Sequence, residues 1–215
     1  EKFSYRLNTL SEFGFLKFGS NINLVYITSK GIETNSHFGN SLGQAVNMPP
    51  IVPVKHEDGS WATPEDFGLG LQEITNPTAL LHYLNSTTKT SKAIGGLSAE
   101  IDFEKINSSL KGLTFKSAFS GEFALVNTRG YTPFYTLDAM HFTITDKATK
   151  EMKLYTRWNF ENVLTYNKTI EDHHFTVMAG TTAFKDMYEN LSGEKSDVIF
   201  DDFEHSYIDN ATDPE

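Results

Sequence analysis

FLKFGSNINLVYIT, residues 15–28, decides the fold. Apolar and polar side chains alternate along it with a period of two, whereas a helix would scatter its apolar residues around the axis. Successive side chains of a β-strand point to opposite faces, so this stretch predicts a strand with one apolar face and one wet face. The apolar positions are Leu16, Phe18, Ile22, Leu24 and Tyr26, and the polar positions are Lys17, Gly19, Asn21 and Asn23.

The same alternation recurs along the chain and predicts six antiparallel strands. The longest run has apolar residues at Met152, Leu154, Trp158, Phe160, Leu164 and Tyr166, facing away from polar neighbours such as Arg157 and Asn159. Several runs exceed the 5 or 6 residues usual in soluble domains and reach the roughly 9 to 11 needed to cross a bilayer. The predicted strands are residues 3–10, 15–28, 93–106, 113–126, 151–166 and 174–186.

The connections between these strands alternate in length. Short ones at residues 11–14, 107–112 and 167–173 separate long ones at 29–92, 127–150 and from 187 onward. Outer-membrane barrels place short turns on the periplasmic side and long loops outside, so the pattern favours an all-β, antiparallel, transmembrane β-barrel. The chain would supply about six strands and three long extracellular loops. A soluble β-sandwich that binds glycans through Trp61 and nearby tyrosines is the alternative, because one wet sheet face gives the same alternation.

The first long connection carries its own local signals. Met48-Pro49-Pro50-Ile51-Val52-Pro53-Val54 predicts extended backbone, because a residue before proline avoids the helical region. Asp58-Gly59 marks a tight turn. Asn76-Pro77 predicts a short helix over residues 78–84, with Leu80, Leu81 and Leu84 on its buried side.

Composition narrows the class of protein. The net charge of −10 and pI near 5.1 argue against nucleic-acid binding, which needs a basic surface to neutralise phosphates. The chain has no cysteine, and its mean hydropathy is −0.36 without any run of about 18 apolar residues, so helical membrane spans are not expected. The first ten residues lack the features of a signal peptide, and the chain begins in a predicted strand. We therefore expect residues 1–215 to be a segment of a longer polypeptide.

Candidate sites are contact sites rather than catalytic ones. No Gly-x-Ser-x-Gly nucleophile motif occurs, and adjacent His173 and His174 would point to opposite faces of a strand, so neither catalytic residues nor a metal site nor a cofactor is predicted. Glu100 and Asp102 fit a wet barrel interior better than acid–base catalysis. Aromatic residues in the long loops could stack on sugar rings or pack against a protein lid. The candidates are Trp61, Phe67, Tyr131, Tyr135 and Tyr207, with Phe134 and Phe203 beside them.

Four stretches together resemble one family. They are Phe15-Leu16-Lys17-Phe18-Gly19-Ser20-Asn21-Ile22-Asn23-Leu24 with Ser29-Lys30-Gly31-Ile32 and Asn35-Ser36; Met48 to Val54 with Asp58-Gly59-Ser60-Trp61 and Asn76-Pro77-Thr78-Ala79; Lys111-Gly112-Leu113-Thr114-Phe115-Lys116-Ser117; and Asn162-Val163-Leu164-Thr165-Tyr166 through His174 to Gly180. In order and spacing they resemble the SusC/RagA-type TonB-dependent transporters of Bacteroidetes outer membranes.

The resemblance implies a central barrel segment of a multi-pass outer-membrane importer of oligosaccharides or peptides, and not an enzyme. The plug domain and the TonB box of the family are absent from these 215 residues, so the segment could supply only wall, lumen lining and part of the outer mouth. Its implied partners are the remainder of the transporter chain, outer-membrane lipid, a SusD-like surface lipoprotein that lids the barrel, and TonB through the missing parts. Pairs of transporter and lipoprotein would assemble as dimers.

Overall fold

The computed structural model describes residues 1–31 and 41–212. Eight strands are present there: β1 Lys2–Phe13, β2 Leu16–Gly31, β3 Asn85–Asp102, β4 Leu113–Thr132, β5 Tyr135–Thr136, β6 Phe142–Thr143, β7 Lys147–Ile170 and β8 His173–Ser196. The α-helices are α1 Ser41–Asn47 and α2 Pro77–Tyr83, and short 3-10 helices span Pro64–Phe67, Phe103–Lys105, Ser108–Leu110 and Ile208–Asn210.

The long strands form one antiparallel sheet in the order β1-β2-β3-β4-β7-β8, so each strand pairs with its neighbours in sequence. The register of β1 on β2 runs from Lys2 opposite Ile27 to Phe13 opposite Leu16. The all-β antiparallel class and the six predicted strands are confirmed. The sheet is not closed, with β1 and β8 as its edges. Within residues 1–31 and 41–212, the one other sheet is the pair β5-β6, so two large facing sheets of a sandwich are not seen.

The third strand is displaced from its predicted position. It begins at Asn85 rather than at residue 93 and ends at Asp102 rather than at residue 106. The side chain of Asp102 accepts a hydrogen bond from the backbone N–H of Glu104 and caps the 3-10 helix that follows. The polar run before Lys92 lacks apolar alternation, so pattern alone missed the start of the strand.

Each of the three short connections contains a residue with positive φ. Gly14 has a φ of 59° in the two-residue turn between β1 and β2, and Glu171 has a φ of 54° between β7 and β8. Gly112, with a φ of 85°, packs directly on the backbone of Asn167, where a Cβ would collide with the carbonyl oxygen. Glycine is therefore required at residue 112 on two independent grounds.

Contacts divide the chain into two compact units. Unit 1 is Glu1–Ile27, Thr90–Val126 and Lys153–Asn190, and unit 2 is Thr28–Lys89, Asn127–Met152 and Leu191–Glu215. The three short connections all belong to unit 1 and the three long ones to unit 2. The predicted alternation of short and long connections is confirmed on this point.

Unit 1 leaves its apolar sheet face uncovered. Phe18, Ile22, Leu24 and Phe160 are 39%, 44%, 47% and 40% exposed, and Leu16 and Trp158 are half-buried. Among the described residues of unit 1, Ala124 is the one buried side chain of the apolar class. A sandwich would bury the set, so the exposure agrees with the prediction made for strands that face lipid. Over the same described ranges, no helix has the length and apolar character needed to cross a membrane.

Unit 2 is packed through its loops. Leu80 on α2 is 1% exposed, Ala62 and Ala79 are fully buried, and Asn76 caps the helix by accepting from the N–H groups of Thr78 and Ala79. The predicted helix is therefore confirmed, and so is the turn at Gly59, whose φ is 87°.

Two local predictions in the first long connection were wrong. Leu81 is 46% exposed rather than buried, because α2 has only seven residues and packs along one side. The segment 48–54 is not extended throughout, since the N–H of Val52 donates to the carbonyl of Pro49 at 3.1 Å and closes a turn. The predicted likeness at Ile32, Asn35 and Ser36 lies outside the described residues.

Candidate functional site

The polar face of unit 1 carries a row of charges of alternating sign. Lys92 on β3 pairs with Glu122 on β4, and Arg157 on β7 pairs with Asp186 on β8. Glu122 also interacts electrostatically with Arg157, so the two pairs form one row across four strands. Nearby, the ammonium of Lys17 lies 3.7 Å from a carboxylate oxygen of Glu100.

Strand parity explains this row. Each of these residues occupies the polar position of its strand, and partners directly opposite in antiparallel strands lie close enough to pair. The Arg157 Nε donates to Asp186 Oδ1 at 2.6 Å and its Nη2 to Oδ2 at 3.3 Å, which is a two-pronged contact. Both side chains are more than half exposed, so water screens the pair and its contribution to stability is small. The charged side chains of the row are therefore accessible to a ligand and are not a buried ion pair that holds the fold together.

Two tyrosines stand beside the charges. The rings of Tyr155 and Tyr188 lie 4.9 Å apart and are 42% and 54% exposed. A cleft of about 430 Å³ is lined by Thr90, Lys92, Glu122, Ala124, Val126, Tyr155, Thr156, Arg157, Asp186, Met187 and Tyr188. Sequence reasoning missed this pair. The sequence does show that Tyr155 is an aromatic residue on the polar face of β7, and this could have indicated a contact site.

In unit 2, Asn76 organises the first long loop. Its Nδ2 donates to the carbonyl oxygens of Val54 and Ala62 at 2.7 and 2.9 Å, while its Oδ1 caps α2. The amide is 2% exposed, so these bonds are shielded from water. One buried side chain thus connects the backbone on both sides of Trp61 to helix α2.

Trp61 and Phe67 lie at the surface of this loop. The ammonium of Lys55 sits 4.3 Å from the centre of the Trp61 ring, and His82 packs against the ring at 5.6 Å. Phe67 is 39% exposed and stacks on His56 at 6.1 Å. Both predicted contact residues are therefore held in place with part of the ring accessible.

His56 is itself held by Asp66. Its Nε2 lies 3.2 Å from Asp66 Oδ2, which also accepts from the backbone N–H and hydroxyl of Thr63. Partial burial of Asp66 opposes ionisation, but these hydrogen bonds outweigh it and the pKa of Asp66 is lowered.

Tyr135, in the second long loop, lies near a buried carboxylate. Its ring stacks on Tyr83 with centroids 4.7 Å apart, and burial followed by the charge of Asp138 raises its pKa. Asp138 accepts hydrogen bonds from the backbone N–H groups of Met140 and His141 and lies 2.8 Å from His141 Nδ1. Burial opposes ionisation of Asp138, yet these hydrogen bonds lower its pKa to about 2. The folded structure around Tyr135 thus stabilises the ionised carboxylate of Asp138.

The third group of aromatic residues is split between core and surface. Tyr131 is 3% exposed and packs with Ala148 and Val198, so its ring forms part of the core of unit 2 instead of a contact surface. Tyr207 is 47% exposed and Phe134 is 65% exposed. The predicted contact residues therefore do not form one cluster. Burial of Tyr131 could not be inferred from the sequence, because its partner Val198 follows 67 positions later in the chain.

The acidic and histidine candidates have ordinary structural surroundings. Asp102 caps a 3-10 helix, and Glu100 faces Lys17 as the parity predicts. His174 Nδ1 lies 2.9 Å from the hydroxyl of Thr169. Across residues 1–31 and 41–212, no group of three or more side chains is arranged to hold a metal ion.

The class defined by this fold is an antiparallel meander of six long strands joined by short turns and packed loops. The same arrangement occurs in solved structures. A structure of the RagAB peptide transporter aligns with 100% of this chain, with a TM-score of 0.76 and 16% sequence identity. A structure of the RagAB peptide importer in the open-open state also aligns with 100% of it, with a TM-score of 0.75 and 16% sequence identity. The closed-closed state of the same importer aligns with 99% of this chain, with a TM-score of 0.72 and 15% sequence identity. In each case this chain spans 23% of the matched chain.

At this identity the likeness shows the fold. No protein-family model matches the chain, and no curated protein sequence matches it either.

Proposed function

We propose that this chain is a segment of a TonB-dependent outer-membrane importer of nutrients, contributing wall strands and part of the outer mouth. The strands would continue at both edges into a closed transmembrane barrel. Energy coupling would come from a plug domain and TonB box elsewhere in the polypeptide, and a SusD-like lipoprotein would cover the loops of unit 2. The segment itself would have no catalytic role. Transporter–lipoprotein pairs would assemble as dimers.

The observation that carries this proposal is the opposite character of the two sheet faces in unit 1. One face exposes Phe18, Ile22 and Leu24, which no described residue covers, and the other carries the row of charges that includes Arg157 and Asp186. An exposed apolar face of this size is costly in water but suits hydrocarbon. The match of the whole chain to about a quarter of RagAB chains supports the same interpretation.

Peptides are the cargo class that we favour over oligosaccharides. The row of Lys92, Glu122, Arg157 and Asp186 offers both signs of charge, which suits the charged ends and side chains of peptides. Tyr155 and Tyr188 offer ring faces for either cargo. The names of the similar structures also refer to peptide transport.

The test uses spin labels on adjacent residues of β2 in the full polypeptide, in native membranes. Residues 1–215 contain no cysteine, so Asn23→Cys and Leu24→Cys each add one labelling site to this segment. Oxygen dissolves preferentially in lipid, whereas a charged nickel chelate stays in water. We expect the label at residue 24 to collide mainly with oxygen and the label at residue 23 mainly with the chelate.

Two results would reject the proposal. Chelate access at both positions would indicate a sheet in water, and exclusion of both reagents from residue 24 would indicate a dry protein core. Arg6→Cys serves as the control, because Arg6 lies directly opposite Asn23 in the pairing of β1 with β2 and its label should behave like that at residue 23.

A further inference from the structure

We propose that unit 2 contains a binding pocket for a phosphate group, formed by Lys89, Arg129 and Lys150 against the rings of Phe203 and Tyr207. The pocket has a volume of about 280 Å³. Its remaining described lining residues are Thr87 and Asn127. The inference rests on this geometry and does not depend on the transport proposal.

Three neighbouring strands bring the cations together. Lys89 is on β3, Arg129 is on β4 and Lys150 is on β7, and these strands are adjacent in the sheet. Phe203 and Tyr207 come from the segment after β8 and form the aromatic wall. Residues far apart in sequence thus converge on one cavity.

No carboxylate of the described residues forms an ion pair with the cations of the pocket. Lys89 and Lys150 form no ion pair within residues 1–31 and 41–212, and the described lining includes no acidic side chain. Elsewhere Lys17, Lys92 and Lys147 each face a glutamate. Three positive charges without an ion-pair partner among the described residues thus lie together in a chain of net charge −10, and they would attract an anion.

The side chain of Arg129 is held in one orientation in the absence of a ligand. Its guanidinium donates to the backbone carbonyl of Phe203 and lies 4.2 and 4.3 Å from the ring centres of Phe203 and Tyr207. Cation–π contacts on two rings hold the planar group in one orientation. The loss of side-chain entropy on binding is correspondingly smaller.

The arrangement fits phosphate better than carboxylate. A carboxylate is best bound by the free two-pronged edge of an arginine, but part of the Arg129 guanidinium is already bonded to a carbonyl. Two lysines act as mobile point charges that can approach different oxygens of a tetrahedral group. The side chains of Thr87 and Asn127 add neutral donors. The phosphate could belong to a free sugar phosphate or to a lipid headgroup.

The experiment measures binding to the purified full polypeptide in detergent by phosphorus NMR and calorimetry. The free probes are inorganic phosphate and glucose 6-phosphate, with glucose as the neutral comparison. The lipid probes are mixed micelles that contain lipid A with or without its phosphates. The double variant Lys89→Gln/Lys150→Gln is compared with Lys168→Gln/Lys195→Gln, which removes the same charge from exposed lysines outside the pocket.

We expect affinity to fall by about tenfold for each pocket lysine replaced, with the control variant unchanged. Binding should also weaken as salt is raised. Binding of the free probes would identify a soluble phosphate as the ligand, whereas binding only of phosphorylated lipid A would identify the headgroup. Absence of binding to every probe, or equal loss in both double variants, would overturn the proposal.

Discussion

Acidification is expected to loosen the packing of unit 2 through a single carboxylate, Asp138. Its pKa is 3.8 in an unfolded chain and about 2 in the folded protein. A carboxyl group whose pKa is lowered by folding stabilises the folded state above pH 3.8, and that stabilisation is lost as pH falls through about 2. One pKa unit corresponds to about 1.4 kcal/mol, so the loss is about 2 kcal/mol. The side chain is only 5% exposed, so solvent screening is small.

Denaturant unfolding at a series of pH values measures this loss. In a protein of residues 1–215, Trp61 reports on unit 2 by fluorescence once Trp158→Phe removes the second tryptophan of that sequence. In this background the free energy of unfolding should fall by about 2 kcal/mol between about pH 4 and pH 2. Asp138→Asn keeps the shape of the side chain but cannot ionise, so its unfolding free energy should lack this component. The reasoning is refuted if both proteins show the same dependence over this range.

Three further predictions concern substitutions in the strands and the loops. Leu24→Arg should lower the stability of the barrel by about 2–4 kcal/mol if the residue faces the bilayer centre, whereas Asn23→Arg should leave membrane assembly intact. Membrane fractionation measures assembly. Equal assembly defects in the two variants would contradict the assignment of Leu24 and Asn23 to opposite faces. Asn76→Ala should cost about 3 kcal/mol, because the buried amide of Asn76 makes four hydrogen bonds. A loss under about 1 kcal/mol in denaturant unfolding would count against that role. Gly112→Ala should reduce thermal stability far more than Gly59→Ala, since both glycines have positive φ but only Gly112 abuts another backbone.

The strands were predictable wherever one sheet face is consistently apolar. Alternation located β2 and β7 well, because every second side chain lies on a wet face. It missed the first part of β3, where the run from Asn85 to Lys92 is polar on both faces and only pairing with β2 and β4 holds it in the sheet. Where both faces of a strand are polar, the sequence shows no alternation, although the strand still forms its hydrogen bonds in the sheet.

The sites were less predictable than the strands. Trp61 and Phe67 were recognised as exposed loop aromatics, but Tyr131 is buried by contacts with residues much later in the chain. The phosphate pocket combines β3, β4, β7 and the segment after β8, so its lysines look unremarkable in sequence. Convergence of distant residues depends on strand order and register, which local patterns do not encode.

A structure of the full polypeptide in its native membrane tests the central claim most directly. The decisive observation is what pairs with the free edges of the sheet at β1 and β8. The account predicts that both strands hydrogen-bond to further strands of a closed barrel, with Leu24 toward lipid and Asn23 toward the lumen. Unpaired edges in an aqueous protein, or a second sheet packed over Phe18 and Leu24, would contradict it.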